Sequence, residues 1–186
     1  LLSCIGLAAC ATSTPSGNVD RMTHDPNATN TETILHVWSW NFPTIADNMK
    51  QIADAGFTMI QTSPVNACFS PEGGNIRIFD EKEGNWYHYY QPTDWTIGNN
   101  ILGTEAEMKA MLDSAKKYDI RVLVDVLPNH TAFNIDLVTD EFYAAVGGPD
   151  KMFHTKGLEG IQDYSDRTQC THQGVGGLPD VNTENP

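Results

Sequence analysis

The sequence has few basic residues, few cysteines and no long apolar run. Its 186 residues include 11 Lys and Arg against 24 Asp and Glu, which gives a formal net charge of -13. A nucleic-acid-binding protein needs a concentrated basic surface, so this composition argues against nucleic acid as a partner. The four cysteines lack the paired spacing of zinc sites. The apolar run at the start is too short to cross a bilayer.

The remaining composition is that of a globular protein. Apolar residues make up 40% and charged residues 19% of the chain. This length is sufficient for one domain with a sizeable core. The acidic excess is compatible with an uncharged substrate or with bound cations, but such a surface more often serves solubility.

The first residues form an apolar leader, LLSCIGLAAC, that ends in small residues. It resembles the end of a secretory signal peptide without its basic start. Residues 7–10 resemble a bacterial lipobox, so we expect Cys10 to be lipidated and to provide the only membrane contact. Residues 11–31 are polar and form a flexible tether. The prediction is an extracellular or cell-surface, lipid-anchored bacterial protein; a buried N-terminal strand or helix is the alternative.

Two cysteines lie outside this leader, Cys68 and Cys170, and both fall in stretches without a regular pattern. In a secreted chain they can form a disulfide. Two free thiols are an equally good interpretation, and the sequence does not choose between them.

From residue 32 onward, strand and helix patterns alternate. Residues 34–38 and 57–62 read as strands, and helical spacing of apolar residues lies between them, which predicts a βαβ unit with parallel strands. Thr44 and Thr104 each begin a capping-box pattern at a helix start. Residues 120–127 form an unbroken apolar run that predicts a third strand, buried on both faces.

Polar groups at the end of this third strand are difficult to explain by packing. Asp125 lies inside the run, and Asn129 and His130 follow it. In α/β barrels the carboxyl ends of the strands carry the functional groups; a simple turn is the alternative for the Asn-His pair. The long stretch 63–103 contains a dense aromatic group, which is either a binding surface or ordinary core.

Three blocks of sequence resemble the α-amylase family of glycoside hydrolases, in the family's order. They are WYHYYQP at residues 86–92 followed by IGN and LGT, DVLPNH at residues 125–130, and LPDV at residues 178–181. Residues 34–64 resemble the first strand-helix-strand of the family. The resemblance therefore covers nearly all of the chain after residue 32.

The resemblance implies an α/β fold. Residues 32–130 would be the first three βα units of a (β/α)8 TIM barrel, and residues 131–186 the incomplete start of an irregular domain inserted after the third strand. Three parallel strands cannot close a barrel of eight. The first and third strands would therefore keep open, apolar edges.

The resemblance also assigns site residues. Tyr90 and His130 would contact the sugar next to the cleaved bond, with Gln91 as a weaker candidate. Trp86 and Tyr87 offer aromatic faces on which sugar rings can stack. Core packing of the aromatic residues is the alternative.

Three oxygen-bearing residues complete the predicted site. Asp125 matches a position that supports the active site. Asn129 and Asp180 match ligands of a structural Ca²⁺, and their oxygens are of the type that Ca²⁺ prefers. Part of this ligand set would lie beyond residue 186. For Asp180 the alternative is a solvated loop carboxylate.

The predicted function is retaining, endo-acting hydrolysis of α-1,4-glucosidic bonds in starch or related glucans. This chemistry needs a nucleophilic and an acid/base carboxylate. The family places both after later strands, beyond Pro186, so no catalytic residue is assigned and these 186 residues alone should be inactive. The alternatives are a non-catalytic glucan-binding surface lipoprotein and a truncated, inactive gene product.

Overall fold

The computed structural model describes residues 32–69, 86–97 and 102–185. The leader, the tether and Cys10 lie outside the described residues. In chain order the elements are β1 (Ile34–Val37), α1 (Phe42–Asp54), β2 (Met59–Thr62), β3 (Asn66–Cys68), a 3-10 turn (Trp86–Tyr90), β4 (Pro92–Ile97), α2 (Glu105–Lys117), β5 (Arg121–Leu123), a second 3-10 turn (Ile135–Leu137), α3 (Asp140–Val146), α4 (Pro149–Met152) and α5 (Arg167–His172).

Three strands form a parallel sheet in the order β1–β2–β5. Ile34 lies opposite Met59, and Met59 lies opposite Arg121. The predicted βαβ unit with parallel strands is therefore confirmed. The order of the strands leaves β1 and β5 at the two edges among the described residues, as the sequence predicts.

Both long helices begin at side-chain caps. At α2 the predicted capping box is confirmed, because Thr104 Oγ1 accepts from the backbone N–H of Glu107 at 3.2 Å and Glu107 Oε2 accepts from that of Thr104 at 2.7 Å. At α1 the cap is Asn41, whose Oδ1 accepts from the N–H of Thr44 at 2.8 Å. The expected box at Thr44 is wrong, since Pro43 lacks an N–H and fits inside the first turn.

The main core lies between the parallel sheet and the two long helices. Its buried side chains come from both helices and from β1 and β2, with Phe42, Ile45, Met49, Ile60 and Met111 essentially fully buried. Burial of one such side chain stabilises the fold by about 1.5–3 kcal/mol. Ser114 Oγ donates to Ala46 O at 3.1 Å and ties the helices to each other.

The third parallel strand differs from the prediction. It covers only Arg121–Leu123, and Leu123 is 41% and Val126 64% exposed. The expectation of a strand over residues 120–127 buried on both faces is therefore wrong for this chain. The reason is that β5 is an edge strand, which pairs with β2 on one side. The segment beyond β5 is held instead by Trp95, whose Nε1 donates to Leu127 O at 3.0 Å.

The stretch that the sequence predicts to be irregular contains regular structure. β3 and β4 pair antiparallel in a two-stranded sheet, and the 3-10 turn Trp86–Tyr90 precedes β4. Residues 70–85 and 98–101 lie outside the described part. The β3 residue Cys68 is buried and the α5 residue Cys170 is exposed; both are free thiols, and neither lies in a loop.

Residues 131–185 hold three short helices around a small core of Val138, Met152 and Phe153. Backbone hydrogen bonds attach this region to the segment after β5: Val181 N–H donates to Asn129 O at 2.9 Å, and Thr131 N–H donates to Pro179 O at 3.2 Å. In the described residues, no helix has the length and apolar character to cross a membrane.

Candidate functional site

The carboxyl ends of the parallel strands lie at one edge of the sheet. Trp38 follows β1, Ser63 follows β2, and the segment from Asp125 to His130 follows β5. In parallel α/β folds this edge carries the functional groups. The predicted site residues are accordingly assembled from this edge and from the turn Trp86–Tyr90.

The aromatic rings form a cluster around Trp86. Its ring meets those of Trp38 at 5.7 Å, Tyr90 at 5.9 Å and Tyr87 at 6.3 Å, all edge to face. Trp86 and Tyr87 are 39% and 45% exposed, whereas Tyr89 is buried in the main core. The alternative of ordinary core packing therefore applies to Tyr89 but not to Trp86 and Tyr87, which keep ring surface open to solvent.

Tyr90 and Asp125 lie close to each other. Burial raises the pKa of the Tyr90 hydroxyl, and the charge of Asp125 and a hydrogen bond to it raise this pKa further. The hydroxyl therefore keeps its proton near neutral pH and remains a donor. Asp125 thus contacts a predicted sugar-binding residue, and its support of the active site stays a prediction.

His130 is fixed by the backbone of Tyr90. Its Nε2 lies 3.0 Å from Tyr90 O. A carbonyl oxygen can only accept, so Nε2 carries a proton. In the neutral imidazole, Nδ1 is then the atom that can accept a hydrogen bond from a ligand. This contact joins the segment after β5 to the 3-10 turn Trp86–Tyr90.

Gln91 lies in the interior, with 8% of its surface exposed. Its Oε1 accepts from Phe133 N–H at 3.4 Å, and its carbonyl accepts from Phe69 N–H at 2.9 Å. These contacts hold loop backbones together. Contact between Gln91 and a sugar stays a prediction.

His88 is a buried residue that sequence reasoning missed. Its ring lies 4.8 Å from that of Phe69 and 4.5 Å from that of Tyr87. Its Nδ1 is buried and has no hydrogen-bond partner in the described structure. Burial lowers its pKa below 6.5, so the neutral form is favoured. In the sequence His88 alternates with aromatic residues, and this pattern does not predict that its side chain is buried.

The two predicted Ca²⁺ ligands lie on adjacent segments. His130 and Asp180 form an isolated antiparallel bridge, which brings Asn129 next to Val181. Asp180 is only 4% exposed, so the alternative of a solvated loop carboxylate is wrong. Asn129 remains exposed. Two hard oxygen donors on adjoining backbones, one of them a buried carboxylate, fit the ligand preference of Ca²⁺.

Asp180 has a further partner that the sequence did not indicate. Its Oδ2 lies 2.6 Å from Nδ1 of His154, and both side chains are almost entirely buried. The two residues are far apart in sequence and belong to no common motif, so only the folded chain reveals the pair.

A cavity of about 310 Å³ lies between the turn at Phe133 and the loops at Leu158 and Leu178. Its lining among the described residues does not include Tyr90, His130, Trp86 or Tyr87, so this cavity is separate from the aromatic cluster.

Comparison with known proteins identifies the family. The sequence model of the family "Alpha amylase, catalytic domain" matches residues 29–156. An α-amylase from Butyrivibrio fibrisolvens is 49% identical over 153 residues, which cover 82% of this chain. The chain belongs to the α-amylase family. A second family member, the α-amylase of Clostridium acetobutylicum, is 33% identical over 161 residues and covers 86% of the chain.

Solved α-amylase structures share the fold. The α-amylase I of Eisenia fetida superposes with a TM-score of 0.66 at 21% identity, over 81% of this chain and 32% of that one. The parallel α/β sheet is therefore part of the family's TIM barrel. The chain spans only 15% and 20% of the lengths of the Butyrivibrio and Clostridium relatives.

Proposed function

We propose that the protein is an α-amylase-type glycoside hydrolase that cleaves α-1,4-glucosidic bonds inside starch or related glucans with retention of configuration. One observation carries the proposal: Tyr90, Asp125 and His130 lie together beside the exposed rings of Trp86 and Tyr87, at the carboxyl edge of a parallel sheet. Family membership and this arrangement support the same function.

The proposed sugar contacts follow from the chemistry of these groups. A glucan offers apolar ring faces and many hydroxyls. Trp86 and Tyr87 have ring surface open for stacking. The hydroxyl of Tyr90 donates its single proton to Asp125, so its oxygen can accept from one sugar hydroxyl, and Nδ1 of neutral His130 can accept from another.

The proposal does not assign the nucleophile or the acid/base to Asp125 or Asp94. Retaining hydrolysis uses a nucleophile and an acid/base about 5–5.5 Å apart. Asp125 contacts Tyr90 and is a positioning group, while Asp94 accepts from Thr139 Oγ1 at 2.8 Å and from Thr96 N–H at 2.9 Å. Both carboxylates have structural partners. The reacting pair would come from strands that the 186 residues do not include.

We propose the same domain organisation as the sequence predicts. Residues 32–130 provide the first three βα units of the barrel, and residues 131–186 begin the inserted domain. The separate small core around Met152 supports a distinct second region. A structural Ca²⁺ would bind Asn129 and Asp180 where the two regions meet, supported by their adjacent backbones.

The proposed location is the bacterial cell surface, with Cys10 as the lipidated mature N-terminus. The motif LAAC and the polar residues after it support this. A single acylation site binds membranes weakly by itself.

The test is the reaction of the full-length protein with soluble starch. We expect short α-glucans to be released and, by NMR of the first products, the new reducing ends to have the α configuration. Starch binding without any release of reducing sugar would contradict the proposal and identify a non-catalytic glucan-binding protein. Initial β products would contradict the retaining mechanism.

A further inference from the structure

Three potential metal ligands converge beside Asp180. One donor atom each from His154, His172 and Glu184 lies within 4.8 Å of the other two. The rings of His154 and His172 are 4.4 Å apart. His154 follows α4, His172 ends α5, and Glu184 lies on the segment after Asp180, so three separate parts of the chain meet here.

His154 has a ring nitrogen, Nε2, that can bind a metal ion. Its Nδ1 donates to the carboxylate of Asp180 at 2.6 Å, which leaves the lone pair on Nε2. That Nε2 is buried and has no hydrogen-bond partner in the described structure. A carboxylate behind a ligating histidine is the usual outer partner in metal sites, because it fixes the tautomer and the ring orientation. An unpaired buried nitrogen is otherwise unfavourable.

His172 has the same tautomer as His154. Its Nδ1 lies 3.2 Å from Thr168 O and 2.7 Å from Thr171 Oγ1. Because the Thr168 carbonyl can only accept, Nδ1 carries the proton, and Nε2 has the free lone pair. In the neutral form of each histidine, Nε2 is therefore the ring nitrogen that can bind a metal ion.

We propose that His154, His172 and Glu184 form a second metal site that takes Zn²⁺. Two imidazoles and one carboxylate are a known zinc ligand set, with a water in the fourth position. Ca²⁺ prefers six to eight oxygen ligands, and this cluster offers too few oxygens. The site is therefore distinct in ligand chemistry from the calcium site proposed at Asn129 and Asp180. Asp180 would contribute to the zinc site only indirectly, through its hydrogen bond to His154.

The ion would stabilise the fold by linking separate segments of the chain. Residues 131–185 have a small apolar core, built on Val138, Met152 and Phe153. A bound ion would connect the end of α4, the end of α5 and the segment after Asp180. Glu184 is exposed, so its carboxylate can rotate onto an ion held by the two histidines. The assignment does not depend on glycosidase activity.

The test measures zinc binding by the full-length protein. The protein is stripped with a chelator, saturated with Ca²⁺ and titrated with ZnCl₂ by calorimetry; Co²⁺ gives a visible absorption band as a second readout. We expect one Zn²⁺ per chain at this site and a higher melting temperature with Zn²⁺. Loss of an outer partner lowers metal affinity about 10–100-fold, so loss of a direct ligand in His172→Ala or Glu184→Gln should lower it at least about 100-fold.

Matched variants separate this site from others. His36→Ala and Glu159→Gln change an exposed residue of the same type and should bind Zn²⁺ as the parent does. Asn129→Ala, at the proposed calcium site, should also keep zinc binding. The proposal is overturned if the parent protein binds no Zn²⁺, or if Glu184→Gln and His172→Ala bind it normally. It is also overturned if Ca²⁺ or Asn129→Ala removes the zinc.

Discussion

At the scale of single residues, the proposed sugar contacts depend on two hydrogen-bonding groups, the hydroxyl oxygen of Tyr90 and Nδ1 of His130. Tyr90→Ala and His130→Ala in the full-length enzyme should each lower kcat/KM without unfolding the protein. A contact that tightens in the transition state contributes about 2–4 kcal/mol, which is on the order of a hundredfold in rate or more. Kinetics on maltooligosaccharides, with a melting curve for each variant, measures the effect.

A conservative variant distinguishes the ring of Tyr90 from its hydroxyl. Tyr90→Phe keeps the ring contact with Trp86 and should retain most activity if stacking dominates. A Phe variant as inactive as Ala would show that the hydroxyl is required. If both alanine variants keep the parental kcat/KM, these residues have no part in the active site.

His88 should make the stability dependent on pH. Burial lowers its pKa in the folded chain below 6.5, whereas in the unfolded chain the group titrates at its ordinary value. Below pH 6.5 the unfolded state therefore binds more protons, and stability falls as the pH drops through the folded pKa. Urea unfolding from about pH 8 to about pH 5 should show this loss.

The matched variants are His88→Gln and His36→Gln. The first removes the buried imidazole and should flatten the pH dependence; the second changes an exposed histidine of β1 and should leave it unchanged. An unaltered slope in His88→Gln would assign the acid sensitivity to other groups.

At the scale of elements, the segments around Asn129 and Asp180 should respond differently to Ca²⁺. Asn129 is exposed, so Asn129→Ala should remove stabilisation only when Ca²⁺ is present. Ca²⁺ at a hundred times its Kd stabilises the fold by about 2.7 kcal/mol. Asp180→Ala should also destabilise without Ca²⁺, by about 1–3 kcal/mol, because it leaves His154 unpaired.

Thermal melting with Ca²⁺ and with chelator measures both effects. Equal shifts in Asn129→Ala with and without Ca²⁺ would mean that this residue acts through packing or hydrogen bonds. The parental protein in chelator gives the baseline.

Local patterns predicted the elements that depend on nearby residues. The βαβ order and the cap of α2 follow from apolar spacing and from Thr104 and Glu107, which lie within one turn. The burial of Asp180 and its contact with His154 depend on distant segments meeting, and no local pattern encodes that. The short length of β5 depends on its place at the edge of the sheet in the described residues, where it pairs with β2, and this is a property of the sheet and not of the strand.

At the scale of the whole molecule, the parallel sheet of the described residues has three strands where a closed barrel has eight. We therefore expect the polypeptide of 186 residues alone not to hydrolyse starch, since the family resemblance places the paired carboxylates of a retaining glycosidase after later strands. A reducing-sugar assay of the purified polypeptide tests this. The control is the same assay on the full-length protein; release by the short polypeptide that disappears on a point change within it would contradict the expectation.

The contact between His130 and the carbonyl of Tyr90 also bears on how the site tolerates mutation. Every amino acid at position 90 supplies that carbonyl, so the tautomer of His130 survives any side-chain replacement there that keeps the turn. At position 130 the replacement must itself donate to that carbonyl and accept from the ligand, and among the other side chains few beyond the amides and hydroxyls combine these two roles. In a library of random variants, losses at position 90 should therefore be graded with ring size and polarity, whereas position 130 should tolerate few replacements.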